Sequence, residues 1–102
     1  MSPACPSAFE REHGFTEGEW MRCLPGAVAP HALERLAPGA ADVRLQGGGR
    51  LTLRWKVLPE RRIALLCMPR LGVRYVFDPE VGGARRDEFL RGFDRFIQRG
   101  GG

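Results

Sequence analysis

The chain has 102 residues, one domain's worth, and its 43% hydrophobic and 27% charged residues exclude a disordered or fibrous protein as well as two separate cores. Its longest apolar run, Ile63 to Met68, falls far short of the roughly 20 residues of a membrane-spanning helix, and Met1 to Phe9 lacks the basic start and apolar stretch of a secretory signal. The net charge of +4 is uneven: residues 1–49 hold four Arg against six acids, residues 50–102 twelve Lys and Arg against six acids, so an anionic partner becomes a candidate for the second half.

Residues 1–8, with Pro3 and Pro6 among small side chains, carry no periodicity and read as a flexible tail before a single domain over 9–102. Thr16-Glu17-Gly18-Glu19 has the spacing of a capping box, and Phe15 with Trp20 that of a hydrophobic staple. They predict a short helix from Glu17 to Leu24, stopped by Pro25-Gly26. Pro30 to Ala37 is expected to make a helical turn or two, with Leu33 and Leu36 inward.

Strand patterning dominates the middle of the chain. Leu51, Leu53, Trp55 and Val57 alternate with Arg50, Thr52, Arg54 and Lys56, the period of a half-buried strand. Val43 and Leu45 alternate upstream, and Gly47-Gly48-Gly49 supplies a turn. A three-residue loop would set Leu45 opposite Leu51, Val43 opposite Leu53 and Asp42 opposite Arg54, matching every pair. Pro59-Glu60-Arg61 is expected to turn the chain again. From Arg62 to Asp78 the odd positions Ile63, Leu65, Cys67, Leu71, Val73, Tyr75 and Phe77 form a core face, with Met68-Pro69-Arg70 either a tight turn or a bulge. Arg85 to Arg99 reads as an amphipathic helix with Phe89, Leu90, Phe93, Phe96 and Ile97 in one stripe. The expected fold is α+β: an antiparallel meander of three or four strands, a short N-terminal helix, and the C-terminal helix packed on the odd face.

The residues offer no catalytic constellation, metal set or cofactor motif. His13 and His31 have no ligand-spaced neighbours and read as surface histidines. The glycine run leads into a strand rather than a helix and does not make a phosphate loop. Asp87, Glu88 and Asp94 are explained by Arg91 and Arg95 on the same helix. Three cysteines, Cys5, Cys23 and Cys67, form no C-x-x-C pair and fit a reduced, cytoplasmic setting, with Cys67 packed as a small hydrophobe.

The even face of the sheet is the candidate functional surface. It gathers Arg44, Arg50, Arg54, Lys56, Arg70 and Arg74 as an anion- or partner-binding rim around an apolar centre of Ala64, Leu66 and Met68. That anatomy fits a protein interface, with a homodimer the commonest case. Nucleic acid or another polyanion is the alternative, although the aromatics that would stack bases lie on the odd face. Two further readings stay open: the N-terminal helix covering this face through Phe15, Trp20 and Leu24, and a small-molecule pocket between helix and sheet.

Arg61-Arg62-Ile63-Ala64-Leu65 through Pro69-Arg70-Leu71, with the ending Phe93-Asp94-Arg95-Phe96-Ile97-Gln98-Arg99-Gly100-Gly101-Gly102, resembles a small family of proteobacterial proteins of unknown function. The resemblance covers the second half and implies a bacterial cytoplasmic protein, without bringing an activity, substrate or catalytic residue. The expectation is a non-catalytic, self-associating or protein-binding module that does not enter the membrane.

Overall fold

The computed structural model describes residues 6–100, with side chains described as far as Gln98. Its elements are β1 (Ala8–His13), α1 (Glu17–Val28), β2 (Ala32–Ala37), β3 (Ala40–Arg44), β4 (Arg50–Ile63), β5 (Leu66–Phe77) and α2 (Gly83–Gly100). The fold is α+β, and all neighbours in its one sheet are antiparallel, in the order β1-β5-β4-β3-β2. Strands β3 to β5 form the expected meander. The sheet has five strands rather than three or four, because β1 adds to the free side of β5 and β2 to the free side of β3.

Both added strands escape a reading by periodicity for physical reasons. In β1 the side chains turned to the core are Phe9, Arg11 and His13, two of them polar, so alternation does not show as hydrophobicity. Residues Ser7 and Ala8, expected in the tail, are already part of the fold: Ala8 opens β1, and the Phe77 N–H donates to the Ser7 carbonyl at 2.7 Å. Residues 1–5 of that tail lie outside the described residues. Strand β2 replaces the expected helical turn over Pro30 to Ala37. A bulge at Glu34 breaks its alternation, leaving Ala32, Leu33, Leu36 and Ala37 at a spacing that imitates a helix.

Helix α1 opens as its residues dictate. The Glu19 N–H donates to Thr16 Oγ1 at 3.2 Å, the Thr16 N–H donates to Glu19 Oε1 at 2.9 Å, and the Phe15 and Trp20 rings lie 6.2 Å apart. It does not stop at Pro25-Gly26 but runs on to Val28 with Pro25 inside. Burial of Ala27 and Val28 outweighs the single hydrogen bond that proline cannot make. Gly26 serves a close approach instead, because a Cβ there would overlap the ring of Phe96 on α2.

The loop after β3 is longer than three residues. Val43 faces Leu51 and Asp42 faces Thr52, so the register is shifted by two and Leu45 to Gly49 form the loop. A shift of two keeps every side chain on its expected face. Gly47, Gly48 and Gly49 all adopt positive φ, and the Arg85 guanidinium donates to the carbonyls of Gln46 and Gly48 at 2.9 and 2.5 Å.

No turn forms at Pro59-Glu60-Arg61 or at Met68-Pro69-Arg70. Strands β4 and β5 run through both to a two-residue turn at Ala64-Leu65. The register shifts between Leu58 and Arg61, so Pro59 and Glu60 together face Pro69. Proline has no N–H for a ladder, and a bulge is where a sheet tolerates that loss. From Leu58 to Arg70 the two strands pair only with each other among the described residues, forming an arm beyond the five-stranded sheet.

The core is aromatic. Trp20 of α1 meets Trp55 of β4 and Phe93 of α2 edge-on, each with ring centroids 5.9 Å apart, and Phe93 meets Tyr75 of β5 at the same distance. Leu51, Leu53, Leu71 and Val73 are fully buried beside them. The odd-position core ends at the arm, where Ile63, Leu65 and Cys67 are exposed, against expectation.

Candidate functional site

The register sorts the face opposite the core into rows. One row across the sheet reads Glu10, Arg74, Arg54, Ala40, Ala37; the next reads Glu12, Gly72, Lys56. On the other side Ala8, Val76, Thr52 and Asp42 share a row with Arg35. Arg44 faces Arg50, and Arg70 faces Leu58. The six candidate cations Arg44, Arg50, Arg54, Lys56, Arg70 and Arg74 therefore project from one face. Phe15, Trp20 and Leu24 are buried in the core on the other side and do not cover it.

Acids from the two unanticipated strands neutralise much of that charge. Glu34 of β2 pairs with Arg44 at 2.9 Å and with Arg50 at 3.5 Å, Glu10 of β1 pairs with Arg74 at 3.5 Å, and Glu12 of β1 pairs with Arg70. The Arg70 hydrogen bond and charge hold the Glu12 carboxyl below its ordinary range, and Glu12 in turn pushes the Arg70 guanidinium up. Arg54 and Lys56 have no ion-pair partner among the described residues. Sequence reasoning missed Glu10, Glu12 and Glu34; for the first two, the alternation with Phe9, Arg11 and His13 was the available signal.

The expected apolar centre of this face is elsewhere. Ala64, Leu66 and Met68 lie on the arm, with Ala64 in its turn at φ 54° and Leu66 and Met68 exposed. Gly72 of β5 lies on this face between Glu12 and Lys56. Around it is an open hollow of about 490 Å³, walled by Glu10 and Glu12 on one side and Arg54 and Lys56 on the other, with Leu58 at one end. Beyond Leu58 the bulge reverses the phase of β4, so Arg61 faces Met68 and Ile63 faces Leu66. Ile63, Leu66 and Met68 thus share the side that carries Lys56 and Gly72.

The histidines are half-buried and bonded rather than free on the surface. His13 Nε2 lies 2.7 Å from the Tyr75 hydroxyl, and its ring stacks on Trp20 at 5.2 Å. Burial pushes His13 down and the Tyr75 hydroxyl well up, so both favour their neutral forms. Next to them Arg11 pairs with Asp94 at 2.6 Å and lies over the Phe9 and Tyr75 rings, which ties β1 to α2 and takes the carboxylate that had been assigned to Arg91 and Arg95. His31 Nδ1 accepts from the Gln46 N–H at 2.9 Å. His13 with Tyr75, and Arg11 with Asp94, thus satisfy one another where β1 meets the core and α2. Cys23 is half-buried against the core, and Cys67 is exposed on the arm rather than packed as a hydrophobe. No helix among the described residues is long and apolar enough to cross a membrane.

No family model matches the chain, and no curated protein sequence matches it.

Proposed function

We propose that the protein is a binding module rather than a catalyst, and that it associates with a second copy of itself through the β4–β5 arm. The carrying observation is where its exposed hydrophobics fall. Val57 is 67% exposed, Ile63 54%, Leu65 101%, Leu66 66% and Met68 46%, and outside this segment only Leu36 and Phe96 join them among the described residues. Large apolar side chains concentrated on one projection mark an interaction surface. A two-stranded ribbon is also marginal by itself in water, so an arm of this length gains stability from being covered.

The arm's edges favour contact through its side-chain face. Pro59 lies on one edge and Pro69 on the other, and neither offers an N–H to an added strand. Ile63, Leu66 and Met68, with Arg61 beside Met68, present a largely apolar side. Covering each contributes about 1 kcal/mol or more, since full burial of such a side chain is worth about 1.5–3 kcal/mol. Nucleic-acid binding across the whole face is the weaker reading, because Glu10, Glu12 and Glu34 take four of its six cations. The exposed Cys67 thiol suits a reducing setting such as the cytoplasm.

Light scattering after size exclusion tests the proposal. The wild-type chain should run at about twice its 11.4 kDa mass. Leu66→Asp, at an exposed position, should run as a monomer with an unchanged circular dichroism spectrum. A wild-type protein that stays monomeric at high micromolar concentration, or a folded Leu66→Asp dimer, would overturn it.

A further inference from the structure

We infer that the hollow over Gly72 is a binding site for a small organic anion, whose carboxylate or phosphate group is held by Arg54 and Lys56 while its apolar body lies on Gly72 and against Leu58. This is independent of the arm, and two observations carry it, each a local feature that disfavours the fold taken alone.

The first is the glycine. Gly72 sits in the middle of β5, hydrogen-bonded between β1 and β4, where a glycine weakens a strand by roughly 0.5–1 kcal/mol. Its backbone does not require it, since Gly72 is not among the positive-φ glycines of the chain. Space does not require it either: a Cβ there would meet Leu58 Cδ1 at 3.4 Å, an ordinary contact, and no backbone atom is among its nearest neighbours. What the missing side chain does supply is the floor of the hollow. A strand glycine that neither conformation nor packing demands marks the close approach of something else.

The second is the charge around that floor. Arg54 and Arg74 stand directly opposite each other on adjacent strands, an arrangement in which like charges destabilise a sheet. Lys56, two residues on, projects from the same face about 7 Å away. The acids on the far wall of the hollow are engaged elsewhere, Glu10 with Arg74 and Glu12 with Arg70, so Arg54 and Lys56 line it without an ion-pair partner among the described residues. An anion between Arg54 and Lys56 relieves the repulsion and gains charge-assisted hydrogen bonds. The hollow is the size of a small-molecule site, and Leu58 gives it an apolar wall. A single-strand nucleic acid fits less well, because the one aromatic residue at the hollow, Trp55, turns its ring to the core, where its indole N–H donates to Glu17, and offers no face for a base to stack on.

The test is an NMR titration of the labelled full chain with three probes: benzoate, phenyl phosphate and a random-sequence oligonucleotide. Saturable shifts at the Arg54, Lys56 and Gly72 amides with benzoate or phenyl phosphate are expected, and the tighter of the two identifies the anionic group. Gly72→Val should keep the fold and abolish saturation; Gly72→Ala, which adds only the Cβ that the site admits, covers the case in which valine unfolds the sheet. Arg54→Gln and Lys56→Gln should each weaken binding by about tenfold. Absence of saturation with both small anions overturns the inference. So does undiminished binding by folded Gly72→Val or Gly72→Ala, and so does an oligonucleotide response spread over Arg44 and Arg50 when neither small anion saturates.

Discussion

Glu17 holds three elements together, and its removal gives a measurable test of the packing described above. Its Oε2 accepts from the Trp55 indole N–H on β4 at 2.7 Å and from the Gly39 N–H between β2 and β3 at 3.1 Å. Both bonds are part-buried and made to a carboxylate, a class worth about 1.5–3 kcal/mol each. Taking the lower end for their partial exposure gives about 3 kcal/mol for the pair, with a further 0.3–1 kcal/mol or so for an acid in the first turn of α1. Glu17→Ala should therefore lose about 3–4 kcal/mol, or roughly 12–20 °C in Tm for a chain of this size. Glu17→Gln keeps an acceptor oxygen but not the charge and should lose about half as much. Urea unfolding followed by tryptophan fluorescence and by circular dichroism reads both, and the Trp55 indole resonance reports the local bond. If both variants fall within about 0.5 kcal/mol of wild type with an unshifted Trp55 resonance, Glu17 does not tie α1 to the sheet as argued.

Stability should also fall in mild acid. His13 and His31 both titrate below the ordinary 6.5 in the folded chain, chiefly through burial, so the unfolded chain takes up their protons first. Their neutral forms thus contribute stability that is complete above about pH 6.5 and declines as pH drops below it, by at most about 1.4 kcal/mol per pH unit for His13. Urea midpoints at pH 7.5 and 5.5 should differ in the wild type and converge in a His13→Gln, His31→Gln double variant; a midpoint that rises on acidification would refute the sign. At the α1–α2 contact, Gly26→Ala gains about 1 kcal/mol of helix propensity but drives a methyl into Phe96. It should destabilise the wild type by about 1 kcal/mol and stabilise a Phe96→Ala background by about the same, and equal effects in the two backgrounds would show that the ring moves aside freely.

Local chemistry made parts of this fold legible. The α1 start is decided between Phe15 and Trp20 by a cap and a staple, and the core faces of β4 and β5 by a period-2 pattern that hides Leu51, Leu53, Val73 and Tyr75. Its end was not legible, because Pro25 stops a helix only when burial beyond it is small, and Ala27 and Val28 are both buried. The β4–β5 hairpin was misplaced for a related reason. Two prolines each look like a turn when taken singly, and only their pairing across the ladder, Pro59 and Glu60 against Pro69, turns them into one bulge. Nothing local reports that coincidence.

The surface was legible in position but not in electrostatics. All six cations fall on the predicted face, since a register error of two residues cannot move a side chain to the other side. What each cation can bind, however, depends on the strands beside it. β1 and β2 occupy the two edges of the sheet and bring Glu10, Glu12 and Glu34 onto the basic residues nearest those edges. Arg54 and Lys56 lie on β4, with Gly72 of β5 separating Lys56 from Glu12 and Arg74 standing between Arg54 and Glu10. Their freedom from partners follows from that arrangement: the acids of β1 are spent on Arg70 and Arg74 before they reach β4, and Glu34 from the other edge pairs with Arg50 at the start of β4. Of the six cations read on this face, the assembled sheet thereby leaves two, Arg54 and Lys56, without an ion pair, and both stand beside one hollow.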